Sequence, residues 1–253
     1  MALAWLAFFD SLIAIAVALA GLFAAHRGYA TPFFGFTLFA LGLFFAALAL
    51  VMAIIALLIM LFSPRRRSAL PRAIMGGVFG LIVVVPVLVV VMTHAYPAIN
   101  DITTDTKNPP EFVHAQELLA NHGRAMKYDA AAYAQVQQNA AVYHDLLPLK
   151  LDASPDDAYK KAEIIVGDVA FWRITARDPR KRTLEAVATS ALFRFQDDFV
   201  VEVRPADGGG SLVEMRSKSR DGKGDLGSNY NRIKDFFRLM QGAPRGASSP
   251  SLN

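Results

Sequence analysis

The sequence predicts a membrane protein with three transmembrane α-helices, followed by an α+β domain built on a four-stranded antiparallel meander flanked by helices. Three observations predict it. Hydrophobic residues make up 54% of the 253-residue chain. Long apolar stretches are confined to the first 93 residues, whereas strand-like alternation with a period near two appears only in the later part. The length suits one membrane unit and one globular domain.

The formal charge of +4 belongs to the N-terminal part of the chain. Of the 26 Lys and Arg residues, five precede position 94, and of the 22 acidic residues one does, which leaves 21 of each sign for the rest. A domain with equal numbers of basic and acidic residues lacks the positive charge that nucleic-acid binding needs, so no nucleic acid is expected as a partner. The absence of cysteine excludes disulfides, thiolate nucleophiles and cysteine-based zinc sites.

Three apolar stretches each reach the roughly 20 residues that a helix needs to cross the hydrocarbon core. They cover about residues 3–25, 33–62 and 73–93, within a transmembrane region of residues 1–94. The loop at 63–72 carries four arginines, so the positive-inside rule places it in the cytoplasm. The sequence therefore predicts a multi-pass protein of the inner (cell) membrane with a cytoplasmic N-terminus and a periplasmic C-terminal domain. The lipid bilayer is its first expected partner.

Small residues recur along the three stretches at intervals that suit helix packing. Either the three helices pack on one another, or a row of small residues docks a protein partner in the membrane. The rows are Ala14, Ala18, Gly21 and Ala25; Gly35, Gly42, Ala46, Ala49 and Ala53; and Gly76 with Gly80.

The soluble α+β domain is predicted for residues 95–241, with a disordered tail at 242–253. Turn-forming residues open it, and helical patterns follow near 111–123, 128–145 and 154–166. Strand patterns separated by short turn clusters are expected at 168–175, 183–195, 199–204 and 211–220, and a last amphipathic helix at 228–240. This order predicts a sheet with one face covered by helices.

A glycine-rich turn precedes the last predicted helix. Its Gly222, Gly224 and Gly227 have the G-x-G-x-x-G spacing of dinucleotide-binding sites, but no parallel strand and no acidic ribose ligand follow, so no such cofactor is expected. Two interpretations stay open. The turn binds an anion on free backbone N–H groups beside Arg220 and Lys223, or it is a tight turn in which Asp225 or Ser228 caps the helix.

Arg216, Lys218 and Arg220 alternate along the last predicted strand, so one of its faces is cationic. Such a face is usually solvated or guards an edge strand, and it is also suited to lipid headgroups. The pair His114 and Glu117 has no third ligand, so no metal site is predicted. No nucleophile motif is present either, and the sequence predicts no catalytic residue and no cofactor.

Four segments resemble one family: Asp-Ile-Thr-Thr-Asp at 101–105, Pro-Pro-Glu-Phe at 109–112, Leu-Pro-Leu at 147–149, and the run from Arg216 to Asn229 with Arg232 and Ile233. Over about residues 96–240 the chain resembles the bacterial and plastid family called domain of unknown function 1499. The resemblance implies a membrane-associated domain without an established activity. It also implies that a set of polar residues and one glycine serves the fold or a ligand: Asp101, Asp105, Arg216, Ser217, Ser219, Arg220, Asp225, Gly227, Asn229 and Arg232.

Three functions are compatible with these features. The leading one is a non-enzymatic accessory domain that binds a protein partner or a lipid-like or anionic small-molecule ligand. The second is an enzyme acting on an anionic envelope substrate, which requires Asp101, Asp105, Arg216 and Arg220 to line one pocket. The third is a structural subunit of a membrane complex.

Overall fold

The computed structural model describes residues 2–93 and 96–243, except for the side chain of Pro64. The chain divides into two compact units, residues 1–95 with 192–194 and residues 96–191 with 195–253. Each unit has its own packing. The tail is predicted to begin at residue 242. Beyond Ala243 it lies outside the described residues.

The first unit contains three helices that are long and apolar enough to cross a membrane. Helix α1 spans Ala2–His26, α2 spans Pro32–Phe62, and α3 spans Leu70–Thr93. A 3-10 turn, Pro64–Ala69, joins the last two. Helix α2 begins where the Thr31 side chain accepts from the N–H of Phe34 and Pro32 occupies the first turn. The three predicted apolar helices are therefore confirmed.

Small residues line the contacts among these three helices. A Cβ atom built on Gly21 would lie 2.5 Å from the carbonyl oxygen of Gly35, and one on Gly42 would lie 2.7 Å from the backbone nitrogen of Ala18. At Gly76 the same atom would meet the backbone of Ala7 at 2.8 Å. Helix backbones approach this closely only where side chains are absent or minimal. The small-residue rows thus serve packing of the three helices on one another.

The second unit is organised around one antiparallel sheet of six strands, whose order is β1-β6-β5-β4-β3 with β2 also paired to β6. The strands are β1 Asp101–Thr103, β2 Leu149–Leu151, β3 Trp172–Asp178, β4 Thr183–Thr189, β5 Gln196–Pro205 and β6 Ser211–Ser219. The antiparallel class and the meander from β3 to β6 are confirmed. The predicted strand count of four is wrong, because the sheet contains two further strands, β1 and β2. They hold three residues each and pair with different parts of β6.

Two helices cover one face of the sheet. Helix α5, Pro155–Asp168, starts at Ser154, whose hydroxyl accepts from the N–H of Asp157. Helix α6, Ser228–Met240, buries its apolar stripe against β6 and helix α5. The core between sheet and helices includes Phe199, Met215 and Phe236. Each is at most 2% exposed, and this burial is the main source of the domain's stability.

The opposite face of the sheet is covered by a segment with little regular structure, residues 104–128, which we call the covering segment. It contains only two 3-10 turns, Ala115–Glu117 and Leu119–Asn121. The predicted helix at 111–123 is therefore wrong, and the one at 128–145 is reduced to helix α4, Ala130–Asn139. Phe112, Ala115 and Met126 of this segment pack on Val200 of β5. Strands β4, β5 and β6 are consequently buried on both faces over most of their length.

Candidate functional site

Charged side chains converge on the face of the sheet that lies beneath the covering segment. In the ladder, Asp101 of β1 pairs with Lys218, Thr103 pairs with Arg216, and Asp198 of β5 pairs with Lys218. Directly opposed residues of antiparallel strands share a face. We call the set Asp101, Asp198, Arg216, Lys218 and Arg220 the ionic face.

Arg216 lies at the centre of the ionic face and is 1% exposed. Its Nε and Nη2 donate to the two carboxylate oxygens of Asp101, both at 2.8 Å, a bidentate geometry. Nη2 also donates to the carbonyl oxygen of Met126 at 2.9 Å. The guanidinium carbon is 4.8 Å from the ring centroid of Phe112 and 5.3 Å from that of Tyr128. The covering segment therefore encloses Arg216 with two aromatic rings and a carbonyl group.

Asp101 forms a second ion pair, in which the Nζ of Lys218 donates to its Oδ2 at 2.8 Å. Lys218 also lies 5.6 Å from the ring centroid of Tyr133 in α4. Asp101 is 0% exposed. A carboxylate without solvent is tolerated only when it is paired and hydrogen-bonded, and Asp101 is both.

Asp198 forms the second buried centre. Arg220 donates to its two oxygens at 3.0 and 2.7 Å, and the Nδ2 of Asn121 donates at 3.1 Å. Arg124 of the covering segment approaches the same carboxylate at 3.4 Å and donates to the carbonyl of Ser219. Arg220 also donates to the side chain of Gln196. The expectation of a solvated or edge-guarding cationic face is wrong, because β6 lies inside the sheet and this face is covered.

Glu185 of β4 holds the covering segment by its backbone. Its carboxylate accepts from the N–H groups of Val113 and His114 at 2.9 and 2.8 Å and from that of Ala115 at 2.6 Å. These three N–H groups would bond to carbonyls one turn earlier if the segment were an α-helix. A buried side chain from the sheet thus takes the place of helical hydrogen bonding.

The other face of β6 is polar near its end and meets α6. Ser217 donates to the Oδ1 of Asn229 at 2.7 Å, and Asn229 donates to the Oγ of Ser219 at 3.0 Å. Arg232 donates to Ser217, to Asn229 and to the carboxylate of Asp197. This network fixes the first turn of α6 on the sheet.

The glycine-rich turn ends in a cap. The Asp225 carboxylate accepts from the N–H of Gly227 and from that of Asn229, both at 2.9 Å. Burial raises the pKa of the Asp225 carboxyl, while these two N–H donors act to lower it. Since a carboxylate of the chain itself occupies the positive end of α6, the geometry supports the capping interpretation over an anion site.

Gly227 has φ +85°, and a Cβ atom there would lie 2.3 Å from the ring of Tyr96. Tyr96 in turn packs against Tyr143 and Tyr230. The glycine is thus required by its left-handed backbone and by the ring beside it.

Asp105 and Lys223 stand apart from the buried network. Asp105 accepts from the N–H groups of Lys107 and Asn108 at 2.8 and 3.0 Å, in an Asx turn. Burial acts to raise the pKa of Asp105, but the two N–H donors, the side chain of Asn108 and the charge of Arg204 together hold that pKa below its ordinary value. Lys223 is exposed at the glycine-rich turn. The four charges that the enzyme hypothesis brings to one pocket are therefore divided among a buried pair, a separate buried centre and a surface turn.

Ion pairs engage both carboxylates of the ionic face. The carboxylates of Asp101 and Asp198 are each engaged by two cationic side chains. No group of three or more His, Asp or Glu residues suited to a metal ion occurs within residues 2–93 and 96–243. The arrangement is suited to holding the covering segment on the sheet.

A model of a known family covers these residues. The family described as "Protein of unknown function (DUF1499)" matches residues 101–240, which is more than half of the chain and spans β1 to α6. The chain belongs to the DUF1499 family. The resemblance drawn from the sequence segments is thereby confirmed. No match was found among curated proteins or among solved structures.

Sequence reasoning missed several residues of the DUF1499 domain's polar interior. These are Asn121, Arg124, Glu185, Asp197 and Asp198. A signal for Asp198 was present, because it keeps the alternation of β5 two residues before Val200. The two covering-segment residues carry no such period, so the sequence pattern alone gives no position for them.

Proposed function

We propose that this DUF1499 protein is a membrane-anchored accessory protein whose domain lies on the periplasmic side and binds a lipid-like, anionic ligand without catalysing a reaction. The observation that carries the proposal is the internal pairing of the ionic face. Asp101 and Arg216, two of the four residues that the enzyme hypothesis requires, form an ion pair with each other. Their exposed fractions are 0% and 1%. Buried, mutually neutralised charges support a structural role for these residues.

The ligand is therefore expected to bind at the surface of the domain and not in its polar interior. The two-sided cover of the sheet gives a rigid body, and rigid elements position binding residues well. The three apolar helices keep such a body at a bilayer, where amphiphilic ligands are concentrated. A protein partner is the competing occupant, and binding assays distinguish the two.

The proposed side of the membrane is tested by cysteine labelling, since the natural chain contains no cysteine. Single variants Lys107→Cys in the domain and Tyr29→Cys in the first loop place thiols at exposed positions. We expect a membrane-impermeant maleimide to label both in intact cells whose outer membrane admits the reagent. The thiolate is the reactive form, and exposure controls its access.

The matched control is Ser68→Cys, which is exposed in the arginine-rich turn between α2 and α3. We expect it to react only after the inner membrane is permeabilised. Labelling of Ser68→Cys in intact cells together with protection of Lys107→Cys would place the domain in the cytoplasm and overturn the periplasmic assignment.

A further inference from the structure

A groove runs between α5 and α6 on the outer surface of the helical layer. We call it the α5–α6 groove; it has a volume of about 410 Å³, and its lining includes Asp157, Lys160, Lys161, Ile164, Ile165 and Leu239. The five α5 residues recur at the intervals of one helix face. The volume lies within the range of small-molecule sites, roughly 300–1,000 Å³.

Apolar side chains make the floor of this groove. Ile164 is 59% exposed, although isoleucine is among the residues most often buried. Ile165 joins the domain core beneath it, and Leu239 packs against the same core from α6. The groove therefore offers an apolar strip that is continuous with the core.

Two cations stand one helical turn from that strip. Lys160 and Lys161 are exposed, and neither forms an ion pair with any residue in the described part of the chain. The one acid of the groove, Asp157, accepts from the hydroxyl of Ser154 at 2.7 Å. Lys160 and Ile164 are four residues apart, so about one helical turn, 5.4 Å along the axis, separates the lysine from the apolar strip. Both lysines line the same groove as that strip.

A second groove, on the other side of α6, has a different charge arrangement. It has a volume of about 540 Å³ and includes Asp145, Lys150, Lys234, Asp235 and Arg238. Lys234 pairs with Asp145 at 2.8 Å, and Arg238 pairs with Asp235 at 2.8 Å. Two of its three cations are paired with its own acids, which leaves Lys150 alone without an ion pair in the described residues. The α5–α6 groove offers two such lysines, so charge complementarity to an anion favours the α5–α6 groove.

From this charge complementarity we infer that the α5–α6 groove binds a single-chain anionic amphiphile of the fatty-acid class. The carboxylate would meet Lys160 and Lys161, and the acyl chain would lie on Ile164, Ile165 and Leu239. The inference rests on the proposed binding function and names its ligand class and its site. It requires no chemical step, because the contacts are ionic and apolar only.

The test uses the full chain in nanodiscs of zwitterionic lipid and a photoreactive fatty acid that carries a diazirine on its acyl chain. Labelled peptides are mapped by mass spectrometry at increasing probe concentration. We expect saturable labelling in the peptides that contain Ile164 and Leu239. The double variant Lys160→Gln/Lys161→Gln should weaken apparent affinity by about fivefold or more, because two exposed ion pairs are lost.

Two controls separate charge from apolar partition. Lys150→Gln in the second groove should leave labelling unchanged, and the uncharged alcohol with the same diazirine chain should not respond to the lysine substitutions. Ile164→Asp should abolish labelling while the protein stays folded, since this side chain is exposed. Undiminished labelling in the double lysine variant would overturn the assigned head-group site.

The outcomes also distinguish this inference from the proposed function. Saturable labelling confined to other surfaces of the domain overturns the assignment of the ligand site to the α5–α6 groove, but it is consistent with the proposed ligand-binding function. Absence of saturable labelling anywhere in residues 96–243 overturns both and favours a protein partner.

Discussion

Replacing Arg216 by glutamine is expected to lower the free energy of unfolding of the domain by about 3–5 kcal/mol, as for other buried ion pairs that lose one partner. The substitution removes both bonds to Asp101 and the bond to the carbonyl of Met126. Asp101 then keeps Lys218 as its cationic partner, in a position without solvent. The contacts with the rings of Phe112 and Tyr128 are lost as well.

The measurement is urea unfolding of the full chain in detergent, followed by the fluorescence of Trp172. A Trp5→Phe background leaves Trp172 as the only tryptophan, and its ring lies 5.0 Å from that of Phe199 in the core. Arg173→Gln is the matched control, an exposed arginine on β3, and should change stability by no more than about 0.5 kcal/mol. A loss at Arg216 as small as that of the control would refute a structural role for the buried pair.

Replacing Gly227 by alanine is expected to lower the free energy of unfolding by about 2–5 kcal/mol, from two causes that add. A left-handed backbone costs a non-glycine residue roughly 1–2 kcal/mol, and forcing a methyl group into packed space costs about 1–3 kcal/mol. At this position φ is +85° and the ring of Tyr96 lies 2.3 Å from the added Cβ atom. The same urea unfolding assay reports both contributions together.

Gly222→Ala separates the two causes. Gly222 has φ +79°, and the nearest atom to an added Cβ is the carbonyl oxygen of Gly224 at 3.4 Å. Its substitution should therefore cost only the backbone part. Combining Gly227→Ala with Tyr96→Ala should cost less than the sum of the two single changes, because the collision is absent. Equal losses for the two glycine variants would show that the ring makes no contribution.

The sequence pattern predicted the fold class because the strongest periodic signals are also the dominant elements. Apolar stretches of helical length mark α1 to α3, and the alternation from β3 to β6 marks the meander. The capping residue Ser154 correctly placed the start of α5. Strands β1 and β2 escaped prediction because three residues are too few to show a period, and their pairing with β6 is purely tertiary.

The sequence predicted which residues share a face of β6, but not that this face is buried. Alternation correctly placed Arg216, Lys218 and Arg220 on one face of β6, but whether that face meets solvent depends on the covering segment. That segment is held by Glu185 and by scattered contacts of Phe112 and Met126. Phe112 and Met126 belong to no periodic pattern, and nothing in the pattern of β4 indicates what Glu185 binds. Burial of the ionic face could therefore not be deduced from the sequence pattern.

The burial of the ionic face is tested most directly by carboxyl footprinting of the natively folded full chain with a water-soluble carbodiimide and an amine. Asp101 and Asp198 are 0% exposed, whereas Asp207 and Asp221 are exposed. We expect rapid modification of Asp207 and Asp221, and modification of Asp101 and Asp198 only after unfolding in urea. Modification of Asp101 in the folded chain at the rate of Asp207 would mean that the buried pair is open to solutes, which would contradict the structural role and return it to the status of a reactive site.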